Sequence, residues 1–214
     1  VAASLFKYEN QAKKNGYKYI IGVDEAGRGP LAGPIVAAAV FLNNSKFKNK
    51  IRDSKQLSFS QREKAMEEIS QKAFFGVGII NEMVIDEINI LKATYLAMNN
   101  AVMYLTQRLQ QNLGGFKRSQ RKVFVLIDGN RFESDMPFDY SLIVKGDRLS
   151  YSISCASIVA KVTRDRILKI YHQIYPQYGF EGHKGYPTLK HRLAIKKYGI
   201  SKIHRKSFRA KNPD

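Results

Sequence analysis

The sequence predicts an α/β fold in which a mixed central sheet is flanked by helices and followed by a basic helical C-terminal segment. Three observations lead there: short apolar runs bounded by glycine or proline, two long stretches whose apolar residues recur every three or four positions, and a lysine-rich end. Three strand-like runs precede the first long helical stretch and two more precede the second, an order that suits mixed pairing with helices on the sheet faces. With 214 residues, of which 44% are hydrophobic and 25% charged, the chain can bury one core, and its composition argues against global disorder.

Taken in order, "VAASLFKYENQAKK" at 1–14 reads as a short amphipathic helix; its apolar run is too short for a signal peptide, and its lysines follow that run. Residues 17–23 and 35–42 ("IVAAAVFL") are two buried strands on either side of a Gly-Pro break. Ser58 with Gln61 and Ser60 with Glu63 are overlapping capping-box signals that open a helix, and "AFFGVGII" at 73–80 is a third strand. Leu91, Tyr95, Met98, Val102, Leu105, Leu109 and Leu113 line one face of a long helix, stopped by Gly114 and Gly115. "VFVLIDG" at 123–129 has the strongest strand character and "YSLIVKGD" at 140–147 is another strand. Ile153, Ala156, Ala160, Ile167, Ile170 and Ile174 mark a second long helix ahead of Pro176. The expected organisation is one domain over 1–175 with a basic helical segment, 176–214, packed on it.

Charge narrows the partners. Lys and Arg number 36 against 18 Asp and Glu, a net +18, which favours a polyanion, with nucleic acid the leading candidate. Beyond Gly182 come Lys184, Lys190, Arg192, Lys196, Lys197, Lys202, Arg205, Lys206, Arg209 and Lys211, opposed by Asp214. Tyr186, Tyr198, His191 and His204 interleave flat rings able to pack on sugars or bases. No apolar run reaches 18 residues, so no membrane span is expected, and a lone Cys155 without an export signal points to a reducing cytoplasm.

Three acids follow strand-like runs: Asp24 after "YIIGV", Asp128 after "VFVLI" and Asp147 after "SLIVKG". Brought together, they would raise one another's pKa unless protons were shared or a divalent ion neutralised them. An oxygen-only set suits the hard ions Mg²⁺ or Mn²⁺, not zinc. Each acid also has a plain structural reading, Asp128-Gly129 as a turn and Asp147 as a turn or helix cap; recurrence at three runs favours a site. Adjacent Asp24 and Glu25 point to opposite faces of a regular strand and share a site only if the strand ends or bends there. Gly27-Arg28-Gly29 matches neither the dinucleotide fingerprint nor the phosphate loop, and two glycines there would open backbone groups to a ribose hydroxyl.

The stretches "IIGVDEAGRGPLAGPIVAAAV", "DSKQLS", "IDEINILKAT", "LIDGN", "VKGDRLSYSISCASIVAKVTRDR" and "HKGYPTLKH" stand in an order that resembles bacterial type 2 ribonuclease H, ribonuclease HII, over nearly the whole chain. The resemblance implies an RNase H-like fold in a catalytic domain over 1–175. It also implies an endonuclease that cuts the RNA strand of RNA/DNA hybrids and 5′ of single ribonucleotides in duplex DNA, leaving 5′-phosphate and 3′-hydroxyl ends. It places an acidic, metal-binding tetrad on Asp24, Glu25, Asp128 and Asp147, a ribose-contacting loop on Gly27, Arg28 and Gly29, and a junction-sensing tyrosine on Tyr186. Two Mg²⁺ or Mn²⁺ ions would serve the hydrolysis.

Lys55 and Lys184 are expected at phosphates and Asn89 by analogy, with a solvated surface residue or local cap as the alternative for each. Asp165 reads as a helix ion pair with Lys161 or Lys169, and Cys155 as core. His183 and His191 flank the Tyr186 segment, where they could reach phosphate. A monomer is expected. A catalytically silent hybrid-binding module and a junction nuclease of the same fold are the rivals. Intact acids argue against the first, "GRG" and "KGYPT" against the second.

Overall fold

The computed structural model describes residues 5–43, 47–49, 51, 54–113 and 122–208. Gly114, Gly115, Asp53, Arg209, Lys211 and Asp214 lie outside the described residues. The elements run α1 (Lys7–Lys14), β1 (Tyr19–Ala26), β2 (Ile35–Leu42), α2 (Phe59–Lys72), β3 (Ala73–Ile80), α3 (Glu82–Asn112), β4 (Val123–Asp128) and β5 (Asp139–Ile143). Then come α4 (Gly146–Leu149), α5 (Tyr151–Ile174), α6 (Phe180–His183) and α7 (Leu189–Tyr198).

The five strands form one sheet in the order β3-β2-β1-β4-β5, with β1, β2 and β3 antiparallel and β1, β4 and β5 parallel. Period-two alternation divides its two faces. Ile21, Val23, Ala37 and Ala39 join the cluster beneath α3, whereas Ala38 and Val40 join the cluster beneath α2 and α5. Strand β2 is apolar on both sides because both sides are covered. Close approach depends on Gly22, where an added Cβ would run into the Ser152 backbone; its absence lets the start of α5 lie on β1 two residues before Asp24.

Several expected boundaries shift. Strand β1 runs from Tyr19 to Ala26, since Asp24, Glu25 and Ala26 stay paired with Ala38, Ala37 and Val36 after pairing with β4 has stopped at Val23–Ile127. Ser58, not Ser60, caps α2, and its reciprocal bonds with Gln61 complete the capping box. Helix α3 begins at Glu82 under an Asn81 cap and breaks at Asn89, whose φ of 68° restarts the helix with the Asn89 Oδ1 accepting from Leu91 and Lys92 N–H. Strand β5 stops at Ile143, so Asp147 sits on the four-residue helix α4 and not at a strand end. The basic C-terminal segment is only partly helical: α7 ends at Tyr198 with Gly199 as its cap, and the stretch beyond it bridges back to Ala32 through His204.

Candidate active site

Asp24 and Glu25 leave β1 on opposite faces, as a regular strand requires. Asp24 turns to the α5 side, where the Ser157 hydroxyl bonds its carboxyl and its own Oδ1 accepts the Glu25 N–H at 2.7 Å. Glu25 turns to the α3 side and, with Arg28, Thr94, Tyr95, Asp128, Asn130 and Arg131 among its neighbours, lines an open cavity of about 420 Å³. Asp128 ends β4 one residue beyond the last β1 pairing, so it meets both. The Gly146 N–H donates to its Oδ1 at 2.6 Å, which ties the α4 turn bearing Asp147 to the end of β4. Asp147 is buried, and its carbonyl accepts from the Ser154 hydroxyl.

Electrostatics registers the crowding. Burial first, then the charges of Glu25 and Asp128, push Asp24 well above the ordinary carboxylate range; bonds from Ser157 and the Glu25 N–H pull the other way. Burial and the Asp128 charge also raise Glu25, against Arg28, whose Nη1 stands 3.7 Å from Glu25 Oε1. Among the described residues no three His, Cys, Asp or Glu side chains form a ready-made ligand cluster. An all-oxygen set of carboxylates fits Mg²⁺ or Mn²⁺, which keep waters and take substrate oxygens beside one or two carboxylates.

Gly27-Arg28-Gly29 follows directly and is held from inside by two buried arginines. Arg205 donates to the carbonyls of Gly27 (2.7 Å), Arg28 (3.2 Å), Pro30 (2.9 Å) and Gly33 (2.7 and 2.9 Å). Arg164 donates to Pro34, Ala32 and Lys184 carbonyls at 2.9, 3.0 and 3.0 Å. Burial lowers both guanidinium pKa values, Arg164 to about 10 and Arg205 to about 9, and both stay charged at neutral pH. Through Lys184, Arg164 fastens the 183–188 loop to the glycine loop, and the Leu31 N–H adds a bond to the Gly185 carbonyl. Tyr186 thereby comes beside Gly29: a methyl group built on Gly29 would lie 3.6 Å from Tyr186 Cε1. Tyr186 stays 44% exposed.

Lys184 adopts a left-handed φ of 52° as part of this clamp. Lys55 lies on a short turn whose Ser54 hydroxyl meets Ser157 at 2.9 Å, and Ser157 in turn bonds Asp24. Asn89 spends its Oδ1 on the helix break of α3, next to the Leu91–Met98 wall of the cavity. His191 and His204 are buried, so a phosphate contact from His191 is ruled out. Lys161 does pair with Asp165 at 2.7 Å, and Cys155 is core.

Sequence reasoning missed Ser157, Arg164 and the role of Arg205. For Arg164 a signal existed, a cation on the apolar face of α5 between Ala160 and Leu168. Arg205 offered none, because it looked like one more charge in a basic tail.

The ribonuclease HII family model matches residues 21–211. Ribonuclease HII of Ruminiclostridium cellulolyticum is 49% identical over 205 residues, 95% of this chain and 75% of that protein. Ribonuclease H2 of Pyrococcus horikoshii superposes with a TM-score of 0.64 at 24% identity, over 90% of this chain and 95% of that one. The Bst-RNase HIII complex with Mn²⁺ gives 0.66 at 18% identity, over 88% and 65%. These likenesses make the fold RNase H-like. With the family model spanning residues 21–211 and relatives near 50% identical over nearly its whole length, the chain belongs to the ribonuclease HII family of metal-dependent endoribonucleases acting on RNA/DNA hybrids.

Proposed function

We propose that this protein also cuts duplex DNA 5′ of a single embedded ribonucleotide, leaving 5′-phosphate and 3′-hydroxyl ends, with Asp24, Glu25, Asp128 and Asp147 holding Mg²⁺ or Mn²⁺. When bound, such ions supply activation of water, support for the leaving 3′-oxygen and charge neutralisation at the phosphorus. The chain's own groups do the rest. Asp24 and Glu25 embrace the end of the sheet from its two faces, and Ser157 and the Gly146 N–H hold Asp24 and Asp128 in orientation. The Gly27–Gly29 backbone reads the ribose 2′-hydroxyl, and the Tyr186 ring lies against the neighbouring sugar. Lys55, Asn89 and Lys184 take phosphates. Residues 176–208 supply the substrate-facing basic surface of the same domain as 1–175, acting as a monomer in the cytoplasm.

The observation that carries this reading is the approach of Tyr186 to Gly29. Carboxylates alone would suit any nuclease of this fold, and phosphate contacts cannot tell RNA from DNA. A reader for one sugar needs backbone groups that a deoxyribose leaves unpaired, a discrimination of about 1–3 kcal/mol per lost bond. Incubating the protein and Mg²⁺ with duplex DNA carrying one ribonucleotide tests it. Cleavage 5′ of that ribonucleotide is expected. Binding without cleavage, or cutting of an all-DNA junction, overturns it.

A further inference from the structure

Beneath the Tyr186 loop lies a stack of imidazoles that the hydrolysis does not use. His183 stacks on His191 with ring centroids 4.3 Å apart and planes 17° apart, and His191 Nε2 meets His204 Nε2 at 3.1 Å. His191 is fully buried and His204 is 4% exposed. The Tyr178 and Phe180 rings pack around them.

Both ends of this chain dictate one direction. The Ser201 N–H can only donate, so His204 Nδ1, at 2.8 Å, accepts and the His204 proton sits on Nε2. His191 Nε2 must then accept, leaving the His191 proton on Nδ1, which stands 2.9 Å from the Tyr186 carbonyl. That carbonyl can only accept, so reading from the other end gives the same tautomers. His183 is fixed likewise: the Gly185 N–H donates to its Nδ1, and its Nε2 donates to the Tyr178 carbonyl.

We propose that His191 and His204 are positioning residues for Tyr186, a one-way hydrogen-bond chain from Ser201 to the Tyr186 carbonyl that sets where the exposed ring stands over Gly29. The inference rests on the reading of Tyr186 as the sugar-side sensor. The Tyr186 carbonyl also accepts from the Thr188 N–H at 2.8 Å, so the loop keeps its turn without the imidazole and loses its lateral anchor. Burial keeps both rings neutral, which the chain requires: a second proton on His191 would set two N–H groups against each other across the 3.1 Å contact, and one on His204 would set its Nδ1 against the Ser201 N–H at 2.8 Å. The groups facing the pair are His183, with Lys184, Lys190 and His172 acting on it, together with Ser201 and the Tyr178 and Phe180 rings.

The test compares cleavage of a single-ribonucleotide duplex with cleavage of a long RNA/DNA hybrid. His191→Phe is expected to lower the ratio of the two rates about fivefold, the worth of one hydrogen bond. His191→Asn, which keeps an N–H near the Nδ1 position, is expected to restore most of it. In a Tyr186→Ala background His191→Phe should cost the ratio nothing further. An unchanged ratio in His191→Phe while Tyr186→Ala loses it, or losses that multiply in the double variant, overturns the proposal. If Tyr186→Ala itself leaves the ratio intact, the sensing reading is what fails. Imidazole nitrogen NMR on the unmodified protein decides the chain independently of folding defects: neutral Nδ1–H His191 and Nε2–H His204 at pH 7 are expected, and any other pair of tautomers sinks it.

Discussion

The carboxylate end of the sheet and the clamp around the glycine loop are neighbours built on opposite principles. In the first, acids are buried beside one another and repel, so Asp24 and Glu25 are pushed above the ordinary carboxylate range. In the second, charge is also buried, yet each guanidinium is answered: Arg205 makes five bonds to carbonyls and Arg164 three. On the proposed reading, the first region is completed by the cations it binds. The second is complete before substrate arrives. Hydrolysis needs a site poised to take cations, whereas recognition of one hydroxyl needs backbone groups that do not move.

The largest effect separates the two at once. Asp24→Asn removes a carboxylate from the crowded end and leaves the basic surface alone, so cleavage should fall at least about 10³-fold while hybrid affinity stays within about twofold. Thermal stability should rise slightly, because a buried repulsion is gone. Activity assays, binding curves and melting curves check the three claims, and cutting at the original rate would remove Asp24 from the site.

Arg205→Met asks the opposite question of the clamp. It strips the carbonyls of Gly27, Arg28, Pro30 and Gly33 of their common donor, and about 3–5 kcal/mol of stability should go with it. A denaturation midpoint within error of the original would mean the loop holds itself.

That contrast also explains what the sequence disclosed. All five strands and both long helices were legible from apolar periodicity, the last strand with its end misplaced, and Asp24 and Asp128 from their positions after apolar runs. Glu25 remained ambiguous, because strand geometry sends it to the other face, and only Asp128 lying one residue past the last β1–β4 pair brings both faces to one site. Asp147 was found for a partly wrong reason: "YSLIVKGD" reads as one strand, whereas the strand stops at Ile143 and a left-handed Lys145 turns the acid onto α4. The clamp was illegible. Apart from the Lys184 carbonyl, its donors meet carbonyls 130 or more residues away in sequence, and a carbonyl carries no residue identity to read.

Acid should loosen the second region. His191 and His204 have folded pKa values of about 4 against an ordinary 6.5. Between those values the unfolded chain binds protons that the folded one refuses, so stability is full above pH 6.5 and falls as pH drops toward 4, by at most about 3 kcal/mol per ring. Glu68, held at about 2 with Lys72, Lys48 and Asn49 as partners, gives up its own contribution only below 4.5. Urea midpoints from pH 7.5 to 4 check the window, and His191→Phe should flatten it; a flat profile in the original protein would mean the imidazoles are charged or exposed.

The smallest expected effect lies within the loop itself, where two glycines two residues apart do different jobs. Gly27 has a φ of +110°, and a Cβ there would strike Arg164 Nε and lie 2.8 Å from the Pro34 carbonyl. Gly27→Ala therefore breaks the clamp and should cost more than about 2 kcal/mol. At Gly29 no left-handed φ is involved, and the new methyl would meet only Tyr186 Cε1 at an ordinary contact distance of 3.6 Å. Gly29→Ala should thus leave stability within about 0.5 kcal/mol. If it nonetheless slows cleavage of the single-ribonucleotide duplex, the space between Gly29 and Tyr186 belongs to the sugar and not to the fold. Unaltered cleavage by Gly29→Ala would mean the ribose is read elsewhere, and the pre-built half of the molecule would then be scaffold alone.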